Sequence, residues 1–169
     1  MNKISRAVLG AALLAVSGLA AANAVDFTVY AKDNSISGGA ALDTGITLNG
    51  GESLTITASG LWQNDPDTAV YQSGPDGHSN STFTTSTGAT FDIGSLVGKI
   101  GNGDYFLIGS SFIGTANASG VLDLFYWDSD AYNNSGSVSA AVTAVPEPAN
   151  LALMGLALGA FALTRRRKA

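Results

Sequence analysis

Short runs of alternating apolar and polar residues fill the middle of the chain, from residue 25 to residue 144. In the clearest run, Leu54, Ile56 and Ala58 alternate with threonines and fall on one face. No stretch of this region repeats its apolar residues at the helical spacing of about 3.6 residues. The pattern predicts strands at Asp26–Ala31, Gly45–Leu48, Ser53–Ser59, Thr82–Thr85, Thr90–Ile93, Leu96–Ile100, Tyr105–Gly109, Ser111–Ala116, Val121–Trp127 and Ser137–Thr143.

Turn-forming residues separate these runs, as at Gly74-Pro75-Asp76-Gly77 and Gly101-Asn102-Gly103. Many short strands in one stretch of this length favour an all-β domain over residues 25–144, either a β-sandwich or a jelly roll. The longest segment between predicted strands, Gln63–Ser81, is rich in polar residues, glycine and proline. A loop of that length in a small domain is more often functional than idle.

Residues 1–24 have the parts of a secretory signal peptide. Lys3 and Arg6 supply the positive start, a short apolar run follows, and small residues end at Ala24. We expect a signal helix that is cleaved between Ala24 and Val25. The alternative is an uncleaved anchor helix, which the shortness of the apolar run disfavours.

Residues 145–169 consist of three different blocks. The first contains Pro146-Glu147-Pro148, the second is an uncharged apolar run over 151–163, and the third is Arg165-Arg166-Arg167-Lys168. The apolar run predicts a helix that is short for a bilayer, which needs about 20 residues, although terminal bases can reach the interface. The basic block should stay cytoplasmic, and the prolines should leave an extended, protease-sensitive junction before the helix.

This order of blocks resembles the PEP-CTERM sorting signal of Gram-negative bacteria. The resemblance implies export, transient retention in the inner membrane through the C-terminal segment, and processing by a membrane exosortase. The final location would be the cell surface or the extracellular space. Proteins with this signal are often linked to exopolysaccharide and the biofilm matrix.

The charge of the middle region restricts its partners. Residues 25–144 hold only Lys32 and Lys99 against twelve acids, so their formal charge is 2 − 12 = −10. A domain this poor in bases cannot neutralise phosphates, which excludes nucleic acid as a partner, but it can concentrate cations. The chain has no cysteine and one histidine, which excludes thiolate metal sites and disfavours a multi-histidine site.

Two loops carry candidate chemistry, and the first runs from Asp128 to Gly136. It offers Asp128, Asp130, Asn133 and Asn134 within seven positions, and such oxygens suit a hard cation. The spacing is not that of an EF-hand, because its sixth and twelfth positions lack the required Gly and Glu. A plain hairpin loop would have a similar composition, since Asp, Asn, Ser and Gly are common turn residues.

The second loop runs from Asn64 to His78. Asp65 and Asp67 alternate and are candidate ligands, and His78 could hydrogen-bond a sugar hydroxyl. A lone histidine on a polar loop is also typical of simple solvation. Trp62 and Tyr71 could stack on a sugar ring, although a tryptophan at a strand end is typical of a core residue.

A second resemblance covers most of residues 40–144. It rests on Ala58-Ser59-Gly60-Leu61-Trp62, Gly74-Pro75-Asp76-Gly77, Gly94-Ser95-Leu96-Val97-Gly98-Lys99-Ile100-Gly101, Gly120-Val121-Leu122-Asp123-Leu124, Asp128 and Asn133-Asn134-Ser135-Gly136-Ser137. In this order, these segments are similar to the calcium-dependent galactophilic lectins of the LecA-like family. The resemblance implies a jelly-roll, galactose-binding-like β-sandwich.

In that family a calcium ion held between two loops is itself the main sugar ligand. The resemblance implies that Asp128 is a bridging carboxylate, that Asn133 and Asn134 are paired amide ligands, and that a backbone carbonyl near Asn64 completes the site. His78, Asp128 and Asn133 would contact the sugar. Two departures stand out: the segment between Asp128 and Asn133 is shorter than in galactose binders, and Trp127 replaces an asparagine.

Three classes of function remain open on the sequence. The first is an exported, calcium-dependent carbohydrate-binding module for galactose-type glycans or exopolysaccharide. The second is a structural matrix protein that keeps the sandwich without a sugar site. The third is a glycoside hydrolase that pairs Asp65 or Asp67 with Asp128 or Asp130, a weak signal because two carboxylates can always be found among twelve. We expect a protein that is not an enzyme.

Overall fold

Strands account for most of the computed structural model, which describes residues 23–65 and 71–145. The eleven strands within these residues are β1 Val25–Tyr30, β2 Leu42–Leu48, β3 Ser53–Gln63, β4 Gln72–Ser73, β5 Thr82–Thr84, β6 Thr90–Asp92, β7 Leu96–Ile100, β8 Phe106–Leu107, β9 Ser111–Thr115, β10 Gly120–Tyr126 and β11 Ser135–Val145. The described part contains no α-helix, so the all-β prediction is confirmed there.

The strands form two larger sheets and one hairpin. The first sheet has the order β1-β11-β3-β4, with β9 also pairing β3, and the second has the order β2-β10-β7-β8. Strands β5 and β6 form a separate two-stranded sheet. All pairs between named strands are antiparallel, which gives a β-sandwich-like fold.

Both larger sheets contribute side chains to one core. Val29, Ile56 and Val142 come from the first sheet, and Leu122 and Leu124 come from β10 of the second sheet. Each of these side chains is fully buried, as the inward half of an alternating strand should be. The strands lie within one compact unit, Ala21–Glu147, whose size and separate core suit independent folding.

Each predicted strand overlaps an observed one, but β3 is longer than predicted. The alternation ends at Ser59, whereas β3 continues to Gln63 and pairs with β11 along its whole length. Gly60 permits this continuation because its φ is +125° and because a Cβ there would lie 2.9 Å from the Ser137 carbonyl oxygen. The extension carries β3 to the end of the sandwich where the candidate loops lie.

The β5–β6 hairpin packs on Trp127, the position where the resemblance leads one to expect asparagine. The indole Nε1 donates a hydrogen bond of 2.8 Å to the Phe83 carbonyl oxygen. The Phe91 ring meets the indole edge-on at 4.9 Å, and the Tyr105 ring lies 5.5 Å away. Trp127 is fully buried, so it acts as a core residue that fixes the hairpin to the domain.

The expected signal and C-terminal helices, with residues 146–169 of the sorting signal, lie outside the described residues. In the described part, no helix is long and apolar enough to cross a membrane. Strand β1 begins at Val25, so cleavage after Ala24 would leave this strand complete. The domain boundaries at residues 24 and 145 stay predictions.

Candidate functional site

The ends of three strands of the first sheet, β1, β3 and β11, meet at one end of the sandwich. The register pairs Ser135 of β11 with Gln63 of β3, so Asn134 and Asn64 follow as neighbours just beyond the last pair. The end of β1 joins them, because the Ala31 amide donates to the Gly136 carbonyl oxygen at 3.1 Å. Sheet pairing therefore brings together two asparagines that are seventy positions apart in the sequence.

The loop after β10 packs against these strand ends. Asn134 is 5% exposed, and its Nδ2 donates to the Asp130 carbonyl oxygen at 2.8 Å and to that of Ala31 at 3.4 Å. Ser35 also donates to the Asp130 carbonyl oxygen, at 3.0 Å. The Asn134 amide nitrogen thus faces oxygen acceptors of its own loop and of Ala31, and its Oδ1 remains as an acceptor.

Asp128 is buried at the start of the same loop. Burial raises the pKa of its carboxyl above the ordinary value, and the charge of Asp130 raises it further. Hydrogen bonds from the Ser129 backbone and from the Asn134 side chain lower the pKa of Asp128 and offset part of this effect. The Ser129 amide donates to Asp128 Oδ1 at 2.6 Å. Asp128 is therefore a desolvated carboxylate that would gain stability from a nearby positive charge.

A group of buried oxygen atoms lies around these residues without hydrogen-bond partners among the described residues. Such side-chain oxygens belong to Asn64, Tyr126, Asp130, Asn133 and Asn134, and a further one belongs to Ser73. Each unpaired buried acceptor is unfavourable by about 1–3 kcal/mol, and native proteins rarely leave several together. Amide and carboxylate oxygens in this number are the ligands that Ca²⁺ prefers.

Tyr126 brings a phenol to the same cluster. Its side chain is fully buried and meets Trp62 edge-on, with ring centroids 4.5 Å apart. Burial, together with the charges of Asp128 and Asp130, raises the pKa of the Tyr126 hydroxyl far above its ordinary range. The hydroxyl therefore lies within electrostatic reach of both carboxylates, and it has no hydrogen-bond partner among the described residues.

His78 lies beside Asn64 in a cavity of about 350 Å³, whose wall also includes Tyr71. His78 Nε2 is 3.1 Å from the Tyr71 carbonyl oxygen, to which the Asn64 amide also donates at 3.3 Å. Because a carbonyl oxygen only accepts, Nε2 is the donor in this pair, and Nδ1 remains to hydrogen-bond a ligand. The segment 66–70, including the candidate ligand Asp67, lies outside the described residues.

The turn before His78 explains its position. The Gly77 amide donates to the Gly74 carbonyl oxygen at 3.1 Å and closes the predicted turn. The Leu96 amide donates to the Pro75 carbonyl oxygen, and the His78 amide to that of Ile93, both at 2.8 Å. These bonds fix the second loop to the start of β7 and hold His78 in place beside Asn64.

Trp62 is a core residue and is unavailable for stacking on a sugar. It is 1% exposed, and its Nε1 donates to the Gly94 carbonyl oxygen at 2.7 Å. The alternative interpretation of this residue as core is therefore confirmed. Tyr71, which is 46% exposed at the cavity wall, keeps its candidate role.

The structure brings Asn64, Asp128, Asn133 and Asn134 to one end of the sandwich, and His78 shares a cavity wall with Asn64. Their roles as ligands stay predictions. Within the described residues, no group of three or more His, Cys, Asp or Glu side chains could hold a metal ion. The cluster instead combines two carboxylates, three amides and a phenol, and its fit to a hard cation rests on the unpaired amide oxygens.

Comparisons with known proteins agree with the two predicted resemblances. The model of the PEP-CTERM protein-sorting motif matches residues 144–168, so the chain carries this signal for export and membrane anchoring before processing. The β domain is similar to a solved structure described as the EclA N-terminal domain, a PllA-like lectin. The two are 26% identical, the match covers 72% of this chain and 98% of that one, and the TM-score is 0.55. No curated protein matches the chain.

Proposed function

We propose that the β domain is a calcium-dependent carbohydrate-binding module that the sorting signal delivers to the cell surface or the extracellular matrix. The observation that carries this proposal is the cluster of buried, unpaired oxygens at the ends of β3, β10 and β11. The likeness to a PllA-like lectin supports binding rather than catalysis.

Asn64, Asp128, Asn133 and Asn134 would hold the cation, and the carboxylate of Asp130 would join them. Asn134 Oδ1 is already oriented, because its amide nitrogen is bound to two backbone carbonyl oxygens. When bound, calcium would offer coordination positions to two adjacent sugar hydroxyls. Nδ1 of His78 would hydrogen-bond a further hydroxyl, and Tyr71 would pack against the sugar ring.

The sorting signal would determine where this binding takes place. Removal of the tail by an exosortase would release the domain or attach it outside the cell. A single site that buries little apolar area should bind weakly, so useful attachment to a polysaccharide requires many domains on one surface. Galactose-type glycans or the cell's own exopolysaccharide are the proposed ligands.

One observation favours a second candidate, a matrix protein with a purely structural ion. Asp128 and Asn134 are only 4% and 5% exposed, and the unpaired oxygens are inaccessible to solvent. A cation held there would stabilise the sandwich even if no sugar reached it. The two candidates differ in what a sugar does after calcium has bound.

Calorimetric titration of residues 21–147 tests both candidates. Calcium titrated into the EDTA-treated, dialysed domain should bind with a stoichiometry near one, and magnesium should bind more weakly. Galactose and a wider sugar panel are then titrated into the calcium-loaded domain. His78→Ala should weaken sugar binding and leave calcium binding unchanged. Calcium binding without any sugar binding would favour the structural candidate, and no calcium binding would refute both.

A further inference from the structure

A second, larger cavity of about 900 Å³ lies between the loop that follows β1 and the loop that follows β10. Its lining comes from Lys32, Asp33, residues 37–40 and residues 129–132. It is here called the Tyr132 cleft. Neither Asn64 nor His78 lines it, so it is separate from the cavity around His78, although Asp130 of the proposed calcium cluster forms part of its wall.

Backbone hydrogen bonds hold the wall of the Tyr132 cleft in place. The Ile36 amide donates to the Tyr126 carbonyl oxygen at 2.9 Å, and the Ala40 amide donates to that of Asp33 at 2.8 Å. Gly39 fits only as glycine, because a Cβ there would lie 2.7 Å from backbone atoms of Asp33 and Ser35. A wall that is already fixed loses little conformational entropy when a ligand binds.

The side chains at the cleft combine an aromatic ring with unpaired polar groups. Tyr132 is 81% exposed, more than any other large hydrophobic or aromatic side chain of the described residues. Lys32 is exposed, and within the described residues its ammonium has no hydrogen bond or ion pair. The Asp33 carboxylate is exposed beside it and accepts no hydrogen bond from the described residues. A ring, a donor and an acceptor together suit a ligand with one apolar face and several hydroxyls.

We propose that the Tyr132 cleft is a second sugar site, which binds a neutral sugar ring without calcium. The apolar face of the ring packs on Tyr132, and its hydroxyls accept from Lys32 and donate to Asp33. A neutral sugar fits better than an acidic one, because Asp33 and Asp130 both line the cleft and the domain carries a formal charge near −10. The site goes beyond the proposed calcium-dependent binding and does not depend on it.

Amide chemical shifts of ¹⁵N-labelled residues 21–147 test this proposal in EDTA. Galactose, glucose and mannose are added up to roughly 100 mM, since single sugars that bury little area bind weakly. At least one of them should shift the amides of Gly38, Gly39 and Tyr132. Tyr132→Ala should weaken this binding by about tenfold or more, as expected for loss of an aromatic anchor, and Tyr132→Phe should restore it.

Tyr30→Ala is the matched control, because Tyr30 is 51% exposed on β1 and lines neither cavity. The spectra themselves report whether each variant is folded. The proposal is overturned if none of the three sugars shifts the cleft amides or if Tyr132→Ala binds as the unmodified domain does. Tighter binding of glucuronate than of the neutral sugars would overturn the assigned ligand class.

The same titration repeated in calcium separates this proposal from the earlier one. Shifts at Asn64 and His78 that require calcium report the calcium-dependent site, and shifts at Gly38 and Tyr132 in EDTA report the Tyr132 cleft. If the sugars shift Gly38 and Tyr132 in EDTA but never shift Asn64 and His78 in calcium, calcium-dependent sugar binding is refuted and the Tyr132 cleft remains supported.

Discussion

Replacing Asp128 with asparagine should have opposite effects on the domain with and without calcium. Burial raises the pKa of Asp128, so the ionised form destabilises the folded state relative to the protonated form. Protonation of Asp128 therefore stabilises the folded domain. This contribution is fully present below the pKa of Asp128 in the unfolded chain, and it is lost as pH rises through its pKa in the folded domain. At pH 7 the neutral amide should therefore make the calcium-free domain as stable as the unmodified domain or more stable.

Most of the calcium-dependent part of the stability should be lost in the same variant. A ligand that binds only the folded state adds about 2.7 kcal/mol when its concentration is 100 times Kd. For a domain of this size, each kcal/mol moves the unfolding midpoint by roughly 3–5 °C, so the unmodified domain should gain about 10 °C. Asp128→Asn removes the charge of one ligand at a site with only two carboxylates, so most of this gain should be lost.

Thermal unfolding of residues 21–147, followed by circular dichroism in EDTA and in millimolar calcium, measures both effects. Asp104→Asn is the control, because it removes an exposed acid from the turn after β7. It should leave the calcium shift intact. A full calcium shift in Asp128→Asn would refute the assignment of this carboxylate. A large loss of stability in EDTA would refute the reasoning about its burial.

Four further changes test other parts of the structure. Asp130→Asn should weaken calcium binding by calorimetry, and an unchanged Kd would remove its carboxylate from the site. Tyr126→Phe should leave the calcium-free domain equally stable or more stable in urea, because it removes a buried, unpaired hydroxyl. Gly60→Ala should destabilise the domain by about 2 kcal/mol or more, since its φ is +125°, and an unaltered urea midpoint would contradict this. Asp43→Asn should lower the pKa of Asp123, because burial and then the Asp43 charge raise that pKa in the unmodified domain. Protonation of Asp123 stabilises the folded state, and this contribution is lost as pH rises through the folded-state pKa, so in the variant it should be lost at a lower pH. An NMR titration of Asp123 checks the shift.

The strands could be predicted from alternation because most of them bury one face. Leu54 and Ile56 are fully buried and Ala58 packs against the core, as the pattern at β3 indicates. The two residues of β4 carry no such pattern and form a strand only through their pairs with β3. The continuation of β3 past Gly60 was also missed, since a glycine after serine looks like a turn until its partner strand is known.

The candidate site could be predicted only in part. The spacing of Asp128, Asn133 and Asn134 within one loop is visible in the sequence, and the resemblance added Asn64. Tyr126 was missed as a neighbour of the site. It lies on the core face of β10, and only the packing of the loop after it places a phenol beside two carboxylates.

If the domain binds a polysaccharide while its tail is attached, as proposed above, the position of β11 has a mechanical consequence. Asn134 directly precedes this strand, and Val145 at its far end leads into the sorting signal. Pulling between a bound polysaccharide and an attached tail would stretch β11 along its own axis. The load would pass along the backbone of this one strand, and the hydrogen bonds to β1 and β3, which run across that axis, would not be peeled open one by one.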